Sequence, residues 1–203
     1  MAPTESSSLI YSLKSIIDRL ELKTLFPKEQ PIEVELGSGD GSFLVEWAKV
    51  NPGHNFIGIE RLLGRMRKLD RKGRRAELTN LCGIRIESFY FLEYLLPAHS
   101  VSAIHVYFPD PWPKRKHRRH RLINERFPIV AHQALVAGGK VYLRTDHAEY
   151  FQQMVEVFAA SPLFRAVETP GELSAILTDF EREFHARGVK TNRAGYGRRN
   201  DER

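Results

Sequence analysis

The run Glu33-Val34-Glu35-Leu36-Gly37-Ser38-Gly39-Asp40-Gly41 places three glycines at alternate positions between a strand-like segment and a helix-like one. Glycine tolerates positive φ and lets a ligand lie against bare backbone, so strand, loop and helix in that order predict a nucleoside-binding unit. Working outward, short apolar runs alternate with amphipathic segments. Strands are expected at Ile32–Leu36, Asn55–Ile59, 84–87, 103–108 and 140–144, and helices at Ser42–Val50, 63–72, 123–135 and Ala148–Ala159. Gly138-Gly139 punctuates the approach to the fifth strand, and 164–168 with 188–193 supplies a closing pair. Repeated β-α units predict an α/β domain with a mainly parallel sheet, covered on both faces and binding ligands at the C-terminal strand edges.

Upstream, Leu9, Ile10, Leu13, Ile16, Ile17 and Leu20 recur at helical spacing behind Ser6, Ser7 and Ser8, which predicts an N-terminal packing or lid helix. The chain therefore divides into a helical lead-in, residues 1–30, and one domain, residues 31–203, with a basic loop at 112–121.

Net charge is +6, yet the cations are concentrated. Arg61, Arg65, Arg67, Lys68, Arg71, Lys72, Arg74 and Arg75 stand against Asp70 alone, and Lys114, Arg115, Lys116, Arg118, Arg119 and Arg121 have no acid among them; everything outside these two runs is net negative. Either run alone reads equally as a solvated helix face, but two flanking one candidate site favour a polyphosphate partner. Cys82 is the single cysteine, which excludes an internal disulfide and a Cys-based zinc site. The eight histidines show no H-E-x-x-H spacing, so no metal is expected. No stretch has the length of a membrane span, and a reducing, cytoplasmic setting without membrane association is expected. Whether the chain is a monomer or a homodimer is left open.

Dinucleotide loops usually read G-x-G-x-x-G, whereas Ser42 here replaces the last glycine, and Glu35 and Asp40 bring negative charge to the phosphate position. S-adenosylmethionine, with a cationic sulfonium and ammonium and no phosphate, suits such a loop better than NAD. Glu60 ends the second expected strand, where a carboxylate accepts from ribose hydroxyls, and Glu87 ends the third, near the expected adenine amine. An oxidoreductase shares the ribose carboxylate, a small-molecule methyltransferase shares the loop and Glu60 but leaves the basic runs without use, and a catalytically silent RNA-binding module leaves the carboxylates without use.

The segment Phe108-Pro109-Asp110-Pro111-Trp112-Pro113-Lys114-Arg115-Lys116-His117-Arg118-Arg119-His120-Arg121 follows the fourth expected strand. Three prolines at alternate positions fix φ and present Asp110 and Trp112 with little freedom left. This segment resembles the signature of the tRNA (guanine-N7-)-methyltransferase family, F-P-D-P-W-x-K and then a basic run. The similarity extends to the glycine loop, to Arg144-Thr145-Asp146, and to Thr178-Asp179-Phe180-Glu181, which resembles the family's T-x-F-E element. The resemblance implies a Rossmann-like, seven-stranded methyltransferase domain, S-adenosylmethionine as donor, tRNA as partner and guanine N7, at variable-loop position 46, as acceptor. It implies that Glu35, Glu60, Glu87 and Asp110 line the donor site beside Gly37, Gly39 and Gly41. Lys114, Asp146, Thr178 and Glu181 are then expected to contact the tRNA or its guanine, and Lys116, His117, Arg118, Arg119, His120 and Arg121 to hold phosphates. Many relatives have Asn or Asp followed by Ala where this chain has Glu87-Ser88, so a longer or water-mediated adenine contact is expected. Asp110 is the expected catalytic carboxylate. Trp112 reads equally as a stacking surface for the base or as a hydrophobic anchor.

Overall fold

The computed structural model describes residues 8–200. Eight strands form one sheet: β1 (Ile10–Tyr11), β2 (Ile32–Leu36), β3 (Asn55–Ile59), β4 (Leu81–Ile84), β5 (Val101–Tyr107), β6 (Leu135–Thr145), β7 (Phe164–Val167) and β8 (Asn192–Arg198). Their spatial order is β1-β4-β3-β2-β5-β6-β8-β7. β1 to β6 pair in parallel, and β8 runs antiparallel to both β6 and β7. Helices cover both faces: α1 (Ser42–Val50), α2 (Leu63–Arg75) and α6 (Gly171–Ala175) on one, and α3 (Ser88–Tyr90), α4 (Phe127–Ala134) and α5 (Ala148–Ala159) on the other. α7 (Asp179–Ala186) precedes β8.

The two faces have separate cores because strand side chains alternate. Val34, Leu36, Ile57, Ile59, Ile104 and Val106 pack toward α4 and α5, while Phe56, Ala103, Tyr107 and Tyr142 pack against Phe43 and Leu44 of α1 and Met66 and Leu69 of α2. Gly41 caps α1 at φ 77°, and a Cβ there would meet Leu69 at 2.9 Å, so the loop and α2 approach as closely as only glycine permits. α1 and α5 occupy the residues expected of them, and α2 runs three residues further than its apolar period.

The lead-in differs from expectation. Ser6 and Ser7 lie outside the described residues, and no helix forms over 9–20; Ile10 and Tyr11 add to the sheet as an eighth strand instead. Leu9 N–H and Ser8 Oγ–H donate to Asp70 Oδ1 at 2.7 and 3.2 Å, and Gly83 N–H donates to Leu9 O at 2.8 Å. A twelve-residue amphipathic segment is marginal as an isolated helix, whereas the open β4 edge supplies backbone partners. Ile16 and Ile17 are left exposed. The third expected strand is displaced to Leu81–Ile84, the third expected helix begins only at Phe127, and the second closing strand lies at Asn192–Arg198.

Candidate nucleoside and RNA site

A cleft of about 460 Å³ opens at the C-terminal ends of β2, β3 and β5, lined by Gly37, Glu60, Glu87, Asp110 and Trp112 among others. Backbone at Gly37 (φ 81°) and Gly39 (φ 56°) faces open space, with no atom within 4 Å of a Cβ built at either. Glu60 is buried and orients by accepting from Leu62 N–H at 2.7 Å through Oε1. Glu87 does not end a strand. It caps α3, accepting from Phe89 N–H at 3.0 Å and Tyr90 N–H at 2.7 Å, because the chain leaves the sheet after Ile84. It still reaches the cleft.

Glu35 is 3% exposed and its Oε2 is a buried oxygen without a hydrogen-bond partner among the described residues, as is Ser38 Oγ in the adjacent loop. Burial pushes the Glu35 carboxyl up to about 8, with Arg144 opposing the rise and Asp40 and Glu60 adding to it. Asp40 is neutralised by Lys72 Nζ at 2.8 Å, and Lys72 also reaches Asp179 at 3.5 Å. Asp179 N–H donates to Ser42 Oγ at 3.2 Å, so α7 starts directly over the glycine loop. Two orphaned buried oxygens, an open glycine backbone and ribose-level carboxylates fit a cationic nucleoside; a pyrophosphate would meet acidic oxygens here.

Phe108 and Trp112 bracket Pro109-Asp110-Pro111 at φ 51° and 41°, a strained conformation for aromatic residues. Phe108 is held by its N–H to Arg144 O at 2.8 Å and by ring contacts with Phe180 and Phe184 of α7 at 6.3 and 5.8 Å. Asp110 is exposed at the cleft, and neither it nor half-buried Asp146 has an ion pair among the described residues. Residues Arg115–His120 form a 3-10 turn whose Lys116, Arg118, Arg119 and His120 are exposed, with Lys114 exposed at its start and His117 partly covered. Trp112 is 37% exposed, with its ring 5.9 Å from His117 and 5.4 Å from His120.

Three expected contact residues sit elsewhere. Arg121 is buried, its Nη2 2.6 Å from Glu149 Oε2 and its Nε donating to Pro111 O at 2.7 Å. It braces the proline turn from beneath and presents nothing to a phosphate. Glu181 is fully buried: Oε2 pairs with Arg144 Nη1 and Oε1 with Arg193 Nη2, at 2.8 and 2.7 Å. Thr178 and Glu181 form a reciprocal capping box for α7. In this conformation both anchor α7; neither is an open acceptor for a base.

Sequence reasoning placed Arg144 in a motif but assigned it no role; its guanidinium lies over the Tyr107 ring at 4.1 Å and also donates to Ile176 O and Leu173 O. That reasoning missed the buried chain in which Glu33 accepts from Trp47 Nε1–H at 2.9 Å and meets His54 Nδ1 and His105 Nε2 at 2.7 Å each. His105 Nδ1 lies 2.8 Å from the Tyr107 hydroxyl. The only local hint was acidic and histidine residues inside strands of otherwise apolar pattern.

Sheet order, glycine loop and strand-end carboxylates together define an α/β methyltransferase of the S-adenosylmethionine-dependent kind. A family model described as a putative methyltransferase matches residues 29–194. A tRNA (guanine-N(7)-)-methyltransferase of Photobacterium profundum is 33% identical over 179 residues, covering 88% of this chain and 72% of that protein. One from Chromohalobacter salexigens is 36% identical over 152 residues, 75% of this chain, which spans 62% of that relative's length. The chain belongs to the tRNA (guanine-N(7)-)-methyltransferase family. A solved 16S rRNA methyltransferase, KamB, shares the fold with a TM-score of 0.61 at 17% identity, over 89% of this chain and 93% of its own.

Proposed function

We propose that the chain transfers a methyl group from S-adenosylmethionine to N7 of a guanine in tRNA, the family resemblance pointing to position 46 of the variable loop. The observation that carries this reading is the unpaired Asp110 carboxylate, held on a strained turn at the rim of a nucleoside cleft beside exposed cations. Bound in that cleft, the donor supplies an electrophilic methyl on a sulfonium. Glu60 would accept from the ribose, Glu87 would orient the adenine side, and Glu35 would face the cationic end.

Guanine N7 carries a free lone pair at neutral pH, so these residues need not remove a proton, and positioning dominates. Asp110 stabilises the positive charge that grows on the imidazole part of the base. Asp146 accepts from the N1 and N2 donors that distinguish guanine from adenine, and Lys114 with Lys116, His117, Arg118, Arg119 and His120 holds the backbone. Thr178 and Glu181 act through the placement of α7. The base leaves its tertiary contacts to enter the cleft, where Trp112 offers a stacking face.

The test is tritiated-methyl transfer to bulk unmodified tRNA followed by nuclease digestion. Label in 7-methylguanosine is expected, and an absence of label in every RNA refutes the reading. Asp110→Ala is expected to slow transfer more than tenfold, about 1.4 kcal/mol of barrier, with donor and tRNA saturating.

A further inference from the structure

The basic run at 61–75 forms one helix with an unusual surface. α2 turns Met66, Leu69 and Gly73 inward. Asp70, its only acid, is half-buried and engaged by Ser8, Leu9 and Arg74, while Lys72 is taken by Asp40 and Asp179. Arg65, Arg67, Lys68, Arg71 and Arg75 are left exposed with no acidic partner among the described residues. A helix face built only to be solvated interleaves Glu with Lys or Arg at i,i+4; here Arg67, Arg71 and Arg75 repel one another at that spacing, about 0.2–0.5 kcal/mol per pair. A polyanion removes that repulsion.

The face is continuous with the site. Arg61 and Arg65 line the cleft that holds Asp110, and from Arg65 to Arg75 the helix runs outward for about 15 Å at ~1.5 Å per residue. The exposed cations of Arg115–His120 belong to a separate loop that reaches the same cleft through His120. We propose that the outer face of α2 docks, through phosphates, a second segment of the folded RNA, distinct from the arm that delivers the guanine. This rests on the reading of function given above and adds a substrate requirement to it. A tRNA engages both cationic surfaces at once and gains avidity, whereas a short hairpin carrying the guanine engages only the loop.

The test uses the full chain with Arg67→Glu, Lys68→Glu and Arg71→Glu combined, none of which lines the cleft. Unmodified tRNA is expected to bind at least tenfold more weakly, with the slope of log affinity against log salt reduced by roughly 2, at ~0.7–0.9 per lost phosphate contact. Calorimetric affinity for S-adenosylmethionine and methylation of a short target hairpin stay within about twofold of the parent. The corresponding triple Gln variant, which preserves helix propensity, shows an intermediate loss, separating docking from damage to the fold. Unchanged tRNA affinity and salt slope would overturn the proposal, and so would equal losses on hairpin and tRNA. Should no RNA be methylated while tRNA binding still responds to the α2 charges, the docking surface stands and the assignment of chemistry falls.

Discussion

Glu35, proposed above to face the donor's cationic end, is a buried carboxyl without a hydrogen-bond partner on Oε2 among the described residues. Its carboxyl is pushed up to about 8 by burial, so the folded chain keeps a proton there that the unfolded chain gives up near the ordinary value of 4.5. Between those pH values the folded state binds the extra proton, and stability therefore falls as pH rises. Replacing the carboxyl by an amide abolishes that loss. Glu35→Gln is expected to melt close to the parent at pH 5 and above it at pH 8. Each pH unit is worth ~1.4 kcal/mol and each kcal/mol ~2–4 °C at this chain length, so a gap of several degrees is expected by differential scanning calorimetry. A parent-to-variant gap independent of pH would contradict a protonated Glu35. The same substitution is expected to weaken the donor and remove proton release on binding, read as calorimetric heats that no longer depend on the buffer's ionisation enthalpy. The sequence marks Glu35 as a ligand residue through its place before the glycine loop. Its protonation is invisible there, because that depends first on burial and then on Arg144, Asp40 and Glu60, of which Arg144 and Glu60 lie more than twenty residues away.

At the scale of elements, the proline turn and basic loop form one device with two layers. The exposed layer, Lys114 to His120, is the RNA face proposed above; the buried layer is Arg121, which ties Pro111 O to Glu149 of α5 and whose guanidinium holds the Glu149 carboxylate below its usual range. Arg121→Met is therefore expected to slow methyl transfer by about 10- to 100-fold through misplacement of Asp110, while the salt dependence of tRNA binding stays that of the parent. Arg118→Ala with Arg119→Ala is expected to do the reverse, flattening the salt dependence and sparing donor affinity. Equal salt slopes for the parent and the double variant would remove those two residues from the RNA face. Six cations in eight residues look alike in sequence; the 3-10 turn ends at His120 and directs the next side chain inward, onto an acid supplied by a distant helix. The lead-in shows the same lesson in reverse. Its 3.6-residue apolar period is real, but the unfilled edge of β4 captures Ile10 and Tyr11 as a strand.

For the molecule as a whole, the buried Glu33 chain couples β2, β5, α1 and the turn bearing His54. Burial alone would raise the Glu33 carboxyl, but contacts from His105, Trp47 and His54 together outweigh it and hold the group down at about 2. A depressed carboxyl stabilises the fold above its unfolded value of 4.5, and that contribution, on the order of 3 kcal/mol, is lost as pH falls toward 2. Glu33→Gln is expected to lower urea stability at pH 7 by a similar amount and to flatten the steep loss of parent stability between pH 4.5 and 2; an unchanged acid profile would dissociate Glu33 from acid unfolding. The sequence by itself determined the β-α order, the glycine loop with its flanking strand and helix, the proline turn carrying Asp110 and the two cationic runs, since periodicity, glycine and proline φ preferences and local charge are properties of neighbouring residues. Only the tertiary structure decided that Ile10 and Tyr11 complete the sheet, that Arg121 and Glu181 are buried anchors, that Lys72 neutralises Asp40 and that Arg65, Arg67, Lys68, Arg71 and Arg75 of α2 have no acidic partner among the described residues. Which partner meets a charged side chain, and how much water remains around it, depends on segments that packing brings together from far apart in the chain.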